Sequence, residues 1–273
     1  MKKLKTYGFI WLAPAFLLGM SLSVNAQKLP NVQPSTGLRA PANLKIDGKA
    51  TEWDNQFQAY NDATNIYYTI SNDSNDLYLT LQANDVRIIE KILAGGVTFT
   101  IQPATKKSEE LPVAVTFPRM RISDRRSIVI NIRNHDTNID SVLAGINKQL
   151  TDVSKLIQVN GIDGLTTDSL ISIYNEQDIK AMGLLDAKKA YTLALSIPLK
   201  YLKRDIDNSA TFRYNVKLNG AFNGLKPPKG SVPITPGSIR MVRVELSASQ
   251  AADAQNLNNP TDFSGKYTLA DIR

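Results

Sequence analysis

The chain has 273 residues, 32 Lys and Arg against 25 Asp and Glu, a formal charge of +7 and no cysteine. That length suits one sizeable β domain with an insertion, or two small domains, and is ample to bury a core without disulfide staples. The absence of cysteine excludes a lipoprotein anchor, a cysteine nucleophile and a thiolate metal site.

Residues 1–26 read as a signal peptide. Lys2, Lys3 and Lys5 form a basic start, Gly8 to Val24 is largely apolar, and Val24-Asn25-Ala26 has the small residues of a cleavage site. A membrane anchor is the competing reading, but the apolar run is short, is interrupted by Pro14 and lacks a basic stop signal. Cleavage implies an exported chain starting at Gln27, periplasmic or secreted, as in bacterial envelope proteins. No later run is long enough for a membrane span, so solubility after cleavage is expected. Because three lysines and no acid leave with residues 1–26, the charge falls from +7 to +4. That excess is too mild for the concentrated basic face that nucleic acid demands.

Gln27 to Ala42 carries three prolines and reads as an extended arm, residues 27–42, before a domain over 43–273. Leu44 to Ile46 is a short extended run closed by a turn at Asp47-Gly48, and Glu52-Trp53 follows. Two alternating strands, Ile66 to Ser71 and Leu77 to Leu81, flank a turn rich in Asn and Asp. Asn84 to Ala94 changes to helical spacing, with Asn84 as cap and Gly95 as stop. Val97 to Ile101, Val113 to Phe117 and Ile128 to Ile132 read as strands, with Arg119, Arg121, Arg125 and Arg126 between the last two.

Within Asp136 to Leu156, residues Ile139, Val142, Leu143, Ile146, Leu150 and Val153 mark an amphipathic helix, with Thr137 as a capping residue. Strands at Leu156 to Val159 and Leu170 to Tyr174 surround a Gly161–Gly164 turn, and Asp178 to Leu185 has no clear period. The span 135–189 reads as an insertion lying against the sandwich. The β pattern resumes at Tyr191 to Ile197, Phe212 to Leu218, Ile239 to Leu246 and Lys266 to Leu269, with a Pro- and Gly-rich loop over Asn219 to Gly237. Many short alternating strands indicate an antiparallel β-sandwich, mainly β, with a small helical insertion.

The order IDG, three residues, EW, a strand, an ND turn and LYL over Leu44 to Leu81 resembles the start of family-9 carbohydrate-binding modules. The resemblance is strongest over residues 44–102 and returns at Tyr191 to Leu199 (YTLALSIPL) and at Phe263 to Leu269. It implies a jelly-roll-like sandwich and a glycan, or another envelope component, as ligand. Such sandwiches often hold a structural Ca²⁺, for which Asp47, Glu52, Asn72, Asp73 and Asp76 offer oxygen ligands on short loops.

Sugar binding needs flat aromatic faces with polar groups around the rim. After cleavage Trp53 is the sole tryptophan, and its place in the EW element favours packing at the sandwich edge over stacking. With it, Tyr60, Tyr174, Tyr201 and Phe222 are the candidate ligand-contacting aromatics. The arginine group is a second candidate, for a sulfate, phosphate or carboxylate, against a reading as solvated loop charges.

Signals for catalysis are weak. His135 is the single histidine, and the common hydrolase, zinc and nucleotide motifs do not occur. The carboxylate pairs Asp47 with Glu52 and Asp73 with Asp76 read better as turn residues than as the acid pair of a glycosidase. The expectation is a non-catalytic exported binding module. The alternative is a structural or protein-interaction sandwich without sugar binding, with another envelope protein as partner.

Overall fold

The computed structural model describes residues 37–54, 56–103, 111–121, 124–125, 128, 132, 139–202, 206, 210–221 and 247–270. Among them, twelve strands form two six-stranded sheets, accompanied by three continuous helices and a further helical stretch seen at residues 124–125, 128 and 132. The expected signal peptide, Phe222, Arg126, His135 and the strand expected at 239–246 lie outside the described residues.

The first sheet runs β1 (Leu38–Arg39), β3 (Ile66–Asn72), β4 (Asp76–Ala83), β10 (Tyr191–Pro198), β9 (Lys180–Leu185), with β2 (Ala59–Asn61) also on β3. The second runs β12 (Thr261–Thr268), β11 (Thr211–Leu218), β5 (Val97–Pro103), β6 (Val113–Phe117), β7 (Leu156–Asn160), β8 (Ser169–Ser172). Every pairing is antiparallel except β1 with β3.

The period-2 pattern explains the layers. Phe212, Tyr214, Val216 and Leu218 of β11 are buried, while Thr211, Arg213, Asn215 and Lys217 alternate outward. On the facing sheet Leu77, Leu79 and Leu81 are fully buried against Leu193, Leu195 and Ile197. Each such side chain contributes roughly 1.5–3 kcal/mol by leaving water. The sheets meet at aromatic contacts: the Tyr68 and Phe263 rings are 4.7 Å apart, and the Tyr68 and Tyr214 hydroxyls 3.5 Å apart. The Tyr267 hydroxyl donates to the Ile70 carbonyl at 3.1 Å and accepts from Leu38 N–H at 3.0 Å.

Several expectations change. Leu44 to Ile46 joins no strand; the first strand is Leu38–Arg39, inside the expected arm. It is too short to show a period, and Gly37 beside it passes so near Ala270 that a Cβ would overlap the backbone there. Residues Asp124, Arg125, Ile128 and Ile132 are helical, so the two ends of the strand expected at Ile128 to Ile132 are not extended, and residues 129–131 lie outside the described residues. Ile128 and Ile132 are both buried, and a spacing of four puts them on one helical face as readily as alternation puts them on one strand face. The span 135–189 supplies β7 and β8 to one sheet and β9 to the other, so only its helix stands outside the layers.

That helix, α2 (Ile139–Val153), buries Ile146 and Leu150 and packs Val142, Leu143 and Val153 against the core. The described part of its apolar stripe, from Val142 to Val153, therefore packs within the chain. Helix α1 (Val86–Gly95) starts one residue later than expected, with Asp85 as N-cap accepting from Arg87 N–H at 2.8 Å. It closes at Gly96, whose φ of 79° suits glycine. Helix α3 (Ala248–Asn258) packs on α1 and opens with a reciprocal capping box between Ser247 and Gln250.

Candidate functional site

The Asp47-Gly48 turn, one piece of the opening motif, lands on the outer side of the first sheet, against Leu184. Asp47 Oδ1 accepts from Lys49 N–H at 3.1 Å, which holds the turn. Gly48 has φ 76° and lies so near β9 that a Cβ would sit 2.8 Å from Leu184 N. Glycine is required twice over at this position. A short 3₁₀ turn, Thr51–Trp53, follows, where the Thr51 hydroxyl donates to Glu52 at 3.2 Å.

Between this segment and the sheet is a cavity of about 600 Å³. Gln82, Asn84 and Thr192 come from the sheet and its edge, Lys49 and Thr51 from the turn segment, and Asp186 and Lys188 from the β9–β10 connection. Gln82 Nε2 donates to Thr192 Oγ1 at 3.0 Å. Asp186 Oδ1 accepts from Lys188 N–H and Ala190 N–H, which fixes the connecting turn.

One row of residues on the outer face of the sheet crosses into this cavity, with Thr192 in it buried. Tyr60, Tyr67, Gln82, Thr192 and Leu184 are successive partners across β2, β3, β4, β10 and β9. The Tyr60 and Tyr67 rings are 4.7 Å apart, and Phe57 lies 6.1 Å from Tyr67. All three rings are half-buried. The Tyr60 hydroxyl donates to Asn65 Oδ1 at 2.8 Å, and partial burial with nearby Tyr67, Asp62 and Asp85 raises its pKa. Aromatic rings at one end of the row and an amide, a hydroxyl and lysines at the other make this outer surface amphipathic.

No family model, curated protein or solved structure matches the chain.

Of the expected aromatics among the described residues, Tyr60 alone belongs to this row. Trp53 is half-buried beside the cavity segment, outside the hydrophobic core, with its indole nitrogen buried and unpaired. Tyr174 is 80% exposed beyond β8, and Tyr201 follows β10 with Lys200 Nζ 5.0 Å over its ring. Tyr67 and Phe57 were missed: Tyr67 sits in a run, IYYTIS, whose alternation shows two faces without saying which one meets a ligand.

The oxygen-bearing set divides in two. Asp47 and Glu52 lie at the Leu184 end of the sheet, whereas Asn72, Asp73 and Asp76 lie at the other. Gln82 and Asp76 are six positions apart on β4, roughly 20 Å at ~3.3 Å per residue. Asp73 Oδ1 accepts from Asn75 and Asp76 N–H groups, and its Oδ2 from the Tyr78 hydroxyl at 2.7 Å. Asn72 is spent on Ala270, donating to its carbonyl and accepting from its N–H. Among the described residues no three of His, Cys, Asp and Glu gather as a metal centre.

The arginine group divides as well. Arg119 is buried and donates to the Gly95 carbonyl at 3.3 Å, and Arg125 donates to the Ala94 carbonyl at 2.8 Å. Both close the C-terminus of α1, where exposed carbonyls favour cations. Burial lowers both pKa values. Arg121 is exposed.

Among the described residues, no helix is long and apolar enough to cross a membrane.

Proposed function

We propose that the protein is an exported, non-catalytic binding module that holds a saccharide on the outer face of its first sheet. The observation that carries this reading is the row from Tyr60 and Tyr67 through Gln82 and Thr192 into the 600 Å³ cavity. Ring faces supply apolar contact for the C–H side of a pyranose, and the amides and hydroxyls beside them supply oriented hydrogen bonds. The likeness of the IDG–EW–LYL order to family-9 carbohydrate-binding modules agrees with it, since Gly48 to Thr51 lines that cavity. Export rests on residues 1–26, and a chain starting at Gln27 in the envelope fraction is its test.

The deciding experiment is a glycan array on the processed protein, repeated with Tyr67→Ala and Tyr60→Ala. Saccharide binding that falls at least tenfold in both variants, with melting midpoints near the parent's, supports the reading. A blank array from folded protein overturns it in favour of the interaction module. The observation favouring that rival is the exposure of Leu170 and Tyr174 at the β8 edge.

A further inference from the structure

The opposite face of the molecule carries a second polar surface. On the outer side of the second sheet three rows are fixed by register: Gln102–Arg213–Lys266, Thr100–Asn215–Ser264 and Thr98–Lys217–Asp262. The side chains of the middle row are short, and over it and the first row lies a cleft of about 630 Å³.

The charges in these rows are unequally compensated. Lys217 stands directly opposite Asp262, a favourable cross-strand pair. Arg213 stands directly opposite Lys266, and like charges at facing positions destabilise a sheet. Among the described residues neither cation makes an ion pair. Asp262, the nearest acid along β12, accepts instead from Asn215 Nδ2 at 2.6 Å. Arg213 spends one N–H on Gln102 Oε1 at 2.9 Å, and its Nε is buried without an acceptor. A guanidinium fork held by one bond, beside a lysine with no counter-charge among the described residues, is short of acceptor oxygens.

We infer that this cleft is an anion-selective saccharide site, in which Arg213 and Lys266 hold a sugar-borne carboxylate or sulfate. The Thr100 hydroxyl and the Asn215 amide oxygen lie under the sugar hydroxyls, while the Asn215 amide nitrogen is held by Asp262, Phe263 and Ser264. A planar two-oxygen anion matches the fork of Arg213, and neutralising the two cations removes their mutual repulsion. Among the described residues the cleft has no exposed aromatic ring to serve stacked bases as a platform. This site is independent of the Tyr60–Tyr67 row.

Calorimetric titration of the full chain with a heparin-derived hexasaccharide, hexagalacturonate, cellohexaose and inorganic sulfate tests the inference. The expected result is binding of one or both acidic hexasaccharides at least tenfold tighter than cellohexaose, weakening as salt rises. The two acidic probes distinguish sulfate from carboxylate. Arg213→Gln and Lys266→Gln each weaken that binding at least tenfold without lowering the melting midpoint, because each relieves a like-charge contact. Lys266 is exposed, so its variant carries the test if Arg213→Gln fails to fold. Equal binding of cellohexaose overturns the inference, as do unaffected variants, inorganic sulfate binding as tightly as the oligosaccharides, or no binding. Tyr67→Ala leaves acidic binding unchanged, so failure at the first sheet and failure here are read separately.

Discussion

The side-chain amide of Asn147 pairs with both backbone groups of Leu185. Its Nδ2 donates to the Leu185 carbonyl at 2.8 Å, and its Oδ1 accepts from the Leu185 N–H at 2.9 Å. Leu185 ends β9, the edge strand of the first sheet, so one residue of α2 occupies the backbone groups by which that edge would recruit another strand. Asn147→Ala leaves both groups without this partner and is expected to cost about 1–2 kcal/mol. Urea unfolding reads the loss, and light scattering at high concentration reads the accompanying rise in self-association. Unchanged stability and a monomer at all concentrations would show that the pairing does neither.

Gly183 and Tyr191 share one space. A Cβ at Gly183 would lie 1.9 Å from the Tyr191 hydroxyl, so the ring crosses the strand where the side chain is missing. Tyr191 is fully buried, its hydroxyl has no partner, and burial raises its pKa. Gly183→Ala is expected to destabilise by about 1–3 kcal/mol through overpacking. Tyr191→Phe removes a buried hydroxyl that earns no hydrogen bond, and should leave stability equal or raise it by up to ~1 kcal/mol. A large loss in Tyr191→Phe would mean that the hydroxyl is bonded after all.

The same pair shows why part of the fold was legible and part was not. β5, β6, β10 and β11 announced themselves because each buries one face and shows water the other, or lies buried along its length. β9 did not, because Gly183 breaks its pattern for a reason that lies on a different strand. α3 carries a capping-box signal at Ser247 and Gln250, but it buries no residue, so no apolar stripe marks it. Of the site, Tyr60 and the Asp47-Gly48 turn were legible as types, a ring and a tight turn. Tyr67, Gln82 and Thr192 were not, since only register across five strands puts them in one row.

Asp73 and Asp76 titrate in opposite senses. Burial opposes ionisation of Asp73, but hydrogen bonds from Tyr78, Asn75 and Asp76, with Arg39 nearby, outweigh it and lower its pKa. Burial likewise leads at Asp76, where the Ser196 hydroxyl does not offset it and the pKa is raised. A lowered folded pKa contributes stability that is present above about pH 4, the unfolded value, and is lost as pH falls through the folded one. Asp73→Asn should therefore cost about 1–3 kcal/mol at neutral pH and flatten the acid side of the stability profile. Asp76→Asn removes a penalty that appears above its unfolded pKa, so it is neutral or stabilising at pH 7. Denaturant midpoints from pH 3 to 7 compare the two, and equal losses in both variants would refute the opposed signs.

Lys91 is the least expected residue in the core. It lies on α1 with 0% exposure, and its Nζ donates to Thr261 Oγ1 at 3.1 Å. Among the described residues it has no carboxylate partner, and burial lowers its pKa. The sign follows from which state holds the proton more weakly. Between the lowered folded pKa and the unfolded value near 10.4, the unfolded chain binds more protons, so stability rises with pH across that window. Below the window the folded state carries the full cost of a buried ammonium. Lys91→Met keeps the length of the side chain and removes the charge, and should stabilise the protein at pH 7 by on the order of 1 kcal/mol. The gain must shrink as pH climbs toward 10, because the parent then sheds the same charge by deprotonation. Paired urea midpoints at pH 7 and pH 9.5 measure it. A variant less stable than the parent at both values would show that the ammonium of Lys91 is compensated where it lies.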